Sequence, residues 1–339
     1  MMKRLLYLGY YIKNLDKPKF KQFLNYVSAT EKKSKASIIS DIIISSLKYN
    51  ISILEYFQFR FYKLTDIERK KYAGTGYMYE YQLAMNPKDK REILDDKRLF
   101  YKKYSRHVLH TTASLDDLKN DSSLAEKLLS KSSGKVVLKV SDGKCGAQVI
   151  IVNSSEHTPA SLISLMEKEG YDLAEEYIIQ HSDIMKLSPS AVNTVRIFTQ
   201  LNEKNEVELL GCRLRISINS HVDNLAAGNI AAPIDDETGV ITGPGIYSDI
   251  TKTPESIHPV TGVKITGFQI PFWKETITLV KNAAKEHPEN RSIGWDIVIT
   301  EQGPGLIEGN HDWCKLVWQL PVNKGMKPIL EKHLSLLQK

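Results

Sequence analysis

Two carboxylates and a carboxamide stand close together near the end of this sequence, in the run GWDIVITEQGPGLIEGN at residues 294–310. The flanks IVIT and GLI are apolar or β-branched and EQGPG carries turn residues, so the run predicts two short strands joined by a hairpin. Side chains two apart on a strand share a face, which groups Glu308 with Asn310. A loop with an odd number of residues centred near Gln302 would set Asp296 almost opposite Glu308, with all three pointing the same way. Two carboxylates in one patch repel each other unless a cation lies between them. An oxygen-only set with a sparse protein shell leaves room for water and phosphate oxygens, which suits Mg²⁺ better than Ca²⁺. The same three residues could equally be the solvated face of an edge hairpin.

A second cluster of polar residues lies in GKVVLKVSDGKCGAQVIIVN, residues 134–153. Lys139 stands on a strand that leads into Ser141, Asp142 and Gly143, and glycines there allow a tight hairpin loop whose N–H groups can cover phosphates. The spacing is neither a Walker P-loop nor GxGxxG, and an ordinary turn reads the same way. Lys139, with Lys97 in DDKRLFYKKY, would supply compact positive charge for phosphate, although a lysine on a surface helix is the commoner fate. Farther on, Arg196 shares a strand face with Thr194, Arg213 shares one with Arg215, and a turn near Lys204 brings Arg196 within a residue or two of Arg213. Such arginines can clamp phosphate or carboxylate oxygens, or face solvent.

The elements that must hold these residues change in character along the chain. Residues 1–92 carry few turn signals and predict several helices, the longest broken near Asn50. DDKRLFYKKYSRH starts as a helix capped by Asp95 or Asp96. From about residue 134 strands dominate: a glycine-looped hairpin, the helix SLISLMEKEGY, a strand EEYIIQHS, and a hairpin LSPSAVNTVRIFTQLNEKNEVELLGCRLRISIN. Long loops fill 221–270, and PFWKETITLVKNAAKEH is a helix before the final hairpin. The class is α+β with antiparallel sheets after a helical N-terminal part. Three regions are expected: 1–92, helical and basic; 93–186, a small lobe with the glycine loop; and 187–339, a larger lobe with the metal site.

Composition narrows the function classes. With 42% hydrophobic and 25% charged residues the chain is a folded, globular protein. Residues 1–72 hold 15 Lys and Arg against 6 Asp and Glu, which concentrates there the whole of the net +6 charge. That basic, aromatic segment could meet an anionic membrane surface, such as the inner membrane face, or simply be a solvated helical cap. Nucleic acid is disfavoured, because no binding motif accompanies the charge. Cys145, Cys212 and Cys314 are scattered, which fits a reducing compartment rather than a disulfide framework or zinc site. No apolar run is long enough to span a bilayer and the first residues lack a cleavage site, so a cytoplasmic protein is expected. His221, His258 and His311 are acceptor-side base candidates, each with a structural role as the alternative.

Lysine before a sheet, lysine with a glycine hairpin, EEYIIQHS as a hinge, NTVRI, and WD followed by EGN, in that order, resemble the ATP-grasp superfamily. SPSAVNTVRIFT, HVDN, IDDETGV, HPVTG, IGWDIVIT and GPGLIEGN look like its sugar-transfer-associated branch, over roughly residues 95–325. The resemblance implies two α+β lobes whose antiparallel sheets clamp ATP. Lys97 and Lys139 would contact its phosphates, Ser141 to Gly146 would form the closing loop, and Gln180, His181 and Asp183 would meet adenine and ribose. Asp296, Glu308 and Asn310 would hold Mg²⁺, and Arg196 and Arg213 would face the transferred phosphoryl group. It further implies a carboxylate–amine ligase acting on a small or sugar-linked carboxylate and an amine acceptor in surface-polysaccharide biosynthesis. The alternatives are a phosphotransferase with a hydroxyl acceptor and a non-catalytic nucleotide-binding scaffold. The family's paired glycines after the HVDN-like motif are replaced here by AAGN at 226–229, with Asp223 and Asn224 as acceptor-side candidates.

Overall fold

The computed structural model describes residues 2–141, 143 and 148–337. Local signals explain the helical start. Asp16 accepts the Lys19 N–H to cap the helix Lys17–Thr30, Ser34 caps Lys35–Tyr49, and Ser52 with Glu55 forms a capping box on Ile53–Gln58. The predicted break at Asn50 is a left-handed C-cap with φ 58°. Asp96, of the two caps considered, accepts the Arg98 and Leu99 N–H groups at the start of the helix Lys97–Lys103.

Among the described residues the strands are β1 Thr112–Ser114, β2 Lys135–Lys139, β3 Val149–Asn153, β4 Leu173–Glu176, β5 Val195–Leu201, β6 Val207–Ile216, β7 Ile230–Ile234, β8 Ile246–Tyr247, β9 Ser292–Thr300 and β10 Gly303–Asn310. They form two antiparallel sheets, ordered β1-β4-β2-β3 and β10-β9-β5-β6-β7-β8. In the small sheet Val136 and Leu138 pack with Leu118, Leu128, Leu162 and Met166 of the covering helices. Alternation turns Val137, Lys139, Val149 and Ile151 to the opposite face. The strand predicted over EEYIIQHS is shorter than expected, because β4 leaves the sheet after Glu176.

The large sheet is covered differently on its two faces. Ile197, Leu214, Ile297 and Leu306 face the helix Trp273–Glu286 with its Val280 and Ala283. On the other face Phe198, Leu210, Trp313 and Trp318 share one core with Phe57, Phe59, Phe61 and Tyr81 of the N-terminal helices. Those helices therefore cover about half of that face and leave the rest to a cleft. Phe100, Tyr101 and Tyr104 belong to the large-sheet core, and the small-sheet core begins at Ala113.

The last hairpin departs from the expected register. Gly303 pairs with Thr300, so the loop is only Glu301 and Gln302 and is even, not odd. A bulge at Ile307 supplies the odd residue: Leu306 pairs with Ile297, yet Glu308 pairs with Asp296. Leu306 thus faces the core, and Glu308 faces the cleft opposite Asp296. The β5–β6 hairpin sets Arg196 directly opposite Arg213, and Arg196 also pairs with Asp296.

Candidate functional site

The open half of the large sheet and the bare face of the small sheet enclose a cleft of about 340 Å³. Val137, Val149, Ile151, Ile178, Val192 and Ile307 make an apolar wall, and Lys97, Lys139, Arg215, Asp296 and Glu308 gather the charge. An apolar slot with a few convergent polar groups is the usual form of a small-molecule site.

On the small-lobe side, Lys139 Nζ is 2.5 Å from Glu175 Oε1 and 5.7 Å from the centroid of the Tyr101 ring. Burial alone would raise the Glu175 carboxyl; the Lys139 ammonium, helped by His110, outweighs it and brings the carboxyl down to about 2. Lys97 Nζ donates to the carbonyls of Ser141, at 3.3 Å, and Gly143, at 2.7 Å. The base of the glycine loop is anchored as well, because Asp172 accepts from the Ser141 N–H and hydroxyl at 2.7 and 2.6 Å. Arg98 reaches the same carboxylate at 3.3 Å.

A charge ladder crosses the large-lobe side. Arg196 grips Asp296 with Nε on Oδ1 and Nη2 on Oδ2. Arg215 bridges two carboxylates, with Nη1 on Asp296 at 3.0 Å and Nη2 on Asp223 at 2.5 Å. Asp223 also accepts from the Thr194 N–H and hydroxyl at 2.9 and 2.5 Å. Asn193 ties the loop before this strand to Ser188, Ala191 and Ser217. Each polar letter of NTVRI thus fixes a neighbour of the cleft. Burial works against ionised Asp296, but Arg196 and Arg215 hold it well below the usual carboxylate range. For Glu308 the balance reverses: burial pushes its carboxyl up, and the Asp296 charge adds to the rise. Asn310 Nδ2 donates to Glu308 at 3.2 Å.

Two guanidinium groups therefore face buried Asp223 and Asp296 and half-buried Glu308, and among the described residues Glu308 has no ion-pair partner. No three His, Cys, Asp or Glu side chains come together as a dedicated metal cage among the described residues. Two carboxylates and an amide with residual negative charge fit a hard divalent cation that takes its other ligands from water or phosphate. Arg215 Nε is buried without a hydrogen-bond partner and offers a donor to an anionic ligand.

The structure brings together Lys97, Lys139, Gly143, Asp296 and Glu308 around the cleft. Ser141 is turned to Asp172, and the Asp142 assignment lies outside the described residues, as does Cys145. Gln180 is buried in a bracket to Ala191 and Asn193. His181 binds the Ile299 carbonyl through its N–H, and Asp183 pairs with Lys186 on the outside. The connector residues that line the cleft are Glu176, Tyr177 and Ile178. Arg213 also points away: its Nε and Nη2 donate to the Trp318 carbonyl at 3.1 and 2.7 Å, beneath the N-terminal helices. Arg196 is spent on Asp296, so Arg215 is the arginine that faces the cleft. Asp223, an acceptor-side candidate, supports Arg215 instead. Of the histidines, His221 lines the cleft, whereas His258 binds the Ser217 carbonyl and His311 binds Asp95. Sequence reasoning missed Glu175 and Arg215, although the shared face of Arg213 and Arg215 was a usable signal.

Comparison with known proteins adds the lineage. Solved structures with a similar chain path include the ATP-grasp ligase PsnB, at TM-score 0.45 and 11% identity over 75% of this chain and 63% of that one. An L-amino acid ligase from Bacillus licheniformis gives TM-score 0.41 and 15% identity over 72% of this chain and 48% of that one. An N5-carboxyaminoimidazole synthetase from Staphylococcus aureus gives TM-score 0.41 and 10% identity over 72% and 51%. At these identities the likeness is one of fold, and the chain spans about half to just under two thirds of the length of those proteins. No curated protein matches the sequence. The sugar-transfer-associated ATP-grasp family, however, matches residues 77–334, most of the chain and all of the cleft, and the chain belongs to that family.

Proposed function

We propose that the protein is an ATP- and Mg²⁺-dependent carboxylate–amine ligase, working on a small or sugar-linked acid in the making of a surface polysaccharide. The observation that carries this reading is the pairing, across one cleft, of two lysines with Asp296 and Glu308, the second of which has no ion-pair partner among the described residues. The apolar wall suits a nucleobase, Lys97 and Lys139 suit the phosphates, and the glycine loop between them suits closure. Asp296, Glu308 and Asn310 would hold Mg²⁺, which supplies neutralisation of charge on the transferred phosphoryl group. Arg215, pinned by two carboxylates, would present a fixed positive charge to the acid or the phosphoryl group without reorganising. In the proposed chemistry a carboxylate oxygen takes the γ-phosphoryl group and ADP leaves. The amine nitrogen then attacks the acyl carbon and phosphate departs, leaving an amide. His221 at the cleft favours one second reading, a phosphotransferase in which that imidazole takes the proton of a hydroxyl acceptor. The sugar-transfer context rests on the family's description.

A thermal-shift titration with a non-hydrolysable ATP analogue and Mg²⁺, alone and together, tests the reading on wild type and Glu308→Gln. A metal-dependent stabilisation that disappears in the variant is expected. Equal stabilisation of both proteins would remove the metal assignment, and none in wild type would remove the nucleotide site itself. ADP release requiring both an acid and an amine then separates ligase from phosphotransferase.

A further inference from the structure

We propose that the N-terminal helical layer holds a second anion site, built for the phosphoryl group of a phosphate ester and separate from the nucleotide cleft. A cavity of about 130 Å³ opens where the helices Met2–Lys13, Lys35–Tyr49 and Thr75–Met85 meet the start of the helix Lys327–Leu337. It shares no lining residue with the cleft. Its volume admits a tetrahedral oxyanion and is too small for a nucleotide.

Four cations reach this cavity from separate parts of the chain: Arg4, Lys48, Lys70 and Lys327. The one carboxylate in the lining, Glu80, is already engaged by Lys3 Nζ and the Tyr7 hydroxyl, each at 3.0 Å. Lys48 and Lys70 form an exposed rim and share Asp66, at 2.5 and 3.2 Å. Lys327 is deeper, 4.8 Å from the centroid of the Tyr77 ring, and pairs with Glu331 at 3.0 Å. Arg4 and Tyr77 both line the cavity, and Arg4 Nη1 and the Tyr77 hydroxyl have no hydrogen-bond partner. Buried donors without acceptors are costly, and a guanidinium cannot shed its proton to escape that cost. A small turn of the Arg4 guanidinium toward an oxyanion in the cavity would give it an acceptor. Such an ester could be a soluble metabolite or the head group of a lipid. Exposed Met2, Leu5, Leu6 and Ile12 on the same first helix make the lipid source worth a separate arm.

The test is thermal stabilisation by sodium phosphate against sodium chloride at matched ionic strength, on wild type, Arg4→Gln, Lys327→Gln and Lys139→Gln. The concentration for half-maximal stabilisation is expected to rise about tenfold or more in the first two variants and to stay near wild type in Lys139→Gln. Far-UV circular dichroism checks that all three variants are folded, and the response to Mg²⁺ with ATP analogue checks it a second time for Arg4→Gln and Lys327→Gln. No response in wild type, or a response lost only in Lys139→Gln, would overturn the site. Flotation with phosphatidylcholine vesicles, with and without phosphatidic acid, assigns the source. Recruitment by phosphatidic acid that Arg4→Gln abolishes and free phosphate competes away points to a head group. No recruitment with the phosphate response intact points to a soluble ester, and both results retain the site. Equal recruitment of wild type and Arg4→Gln without a phosphate response would overturn it in favour of contact through the exposed helix face.

Discussion

Glu175, the first residue of EEYIIQHS, sets the charge balance around Lys139. Its carboxyl stands at about 2 in the folded protein against an ordinary 4.5. A carboxyl lowered on folding adds stability that is fully present above the unfolded value and is lost as the pH falls through the folded one. The window is therefore pH 4.5 down to about 2, and the contribution is roughly 3 kcal/mol. Glu175→Gln is expected to be less stable than wild type at neutral pH, with a smaller further loss of melting temperature between pH 5 and pH 3. An acid-induced loss identical to wild type would show that the Lys139 pair does not contribute. Lys139 was legible in the sequence because it adjoins the glycine turn, and Asp296 and Glu308 because the EQGPG turn folds their strands against each other. Glu175 was not, since its pairing with Lys139 depends on the β2–β4 register, in which Val137 lies opposite Glu175. Arg213 and Arg215 were legible as a shared face but not as a choice between them. The N-terminal helices cover one and leave the other open, and nothing within the strand records where that cover ends.

At the scale of elements, the distance between the two charge clusters is set by how closely the helix Lys97–Lys103 rests on β10. Gly309 permits that approach: a Cβ there would lie 3.0 Å from Leu94 Cδ2 and 3.2 Å from Phe100 Cε2. The glycine of EGN therefore serves packing, while its neighbours face the cleft. Gly309→Ala is expected to cost about 1–3 kcal/mol by overpacking and to shift the helix that carries Lys97. It should accordingly raise the KM for ATP several-fold while kcat changes less. An unchanged KM, measured by ADP release at saturating acceptor, would mean that Lys97 is positioned by the Ser141 and Gly143 carbonyls alone. The hairpin itself was readable from its flanks and turn. Its bulge was not, because an extra residue in one strand leaves the apolar pattern on either side intact. The strand expected over EEYIIQHS stopped at Glu176 for a related reason: its apolar run suits a strand, but Gln180 and the His181 N–H are bound to the large lobe instead.

Across the whole molecule, the N-terminal helices are part of the large lobe's fold rather than an appended cap. Their aromatic residues complete the core around Trp313 and Trp318, and a buried ion pair fastens the two parts, with Lys315 Nζ 3.1 Å from Glu55 Oε1. Glu55 also accepts from the Ser52 N–H at 2.7 Å and the Thr75 N–H at 3.0 Å, so one carboxylate joins two helix starts to the C-terminal segment. Burial disfavours its charge, yet Lys315 and those N–H groups hold it below the ordinary value. Removing the charge would leave half-buried Lys315 without its partner, at a cost of about 1–3 kcal/mol. Such a shared core predicts that the helical layer and the large lobe unfold together. All four tryptophans, Trp273, Trp295, Trp313 and Trp318, lie in the C-terminal part of the chain, whereas residues 2–85 contribute a large share of the helix that far-UV circular dichroism reads. Fluorescence and ellipticity should give coincident melting curves, and Glu55→Gln should move both downward by the same amount. Should ellipticity fall first, with the tryptophan signal unmoved by Glu55→Gln, the helices would be a separable layer, and the buried face they cover would have to be stable without them.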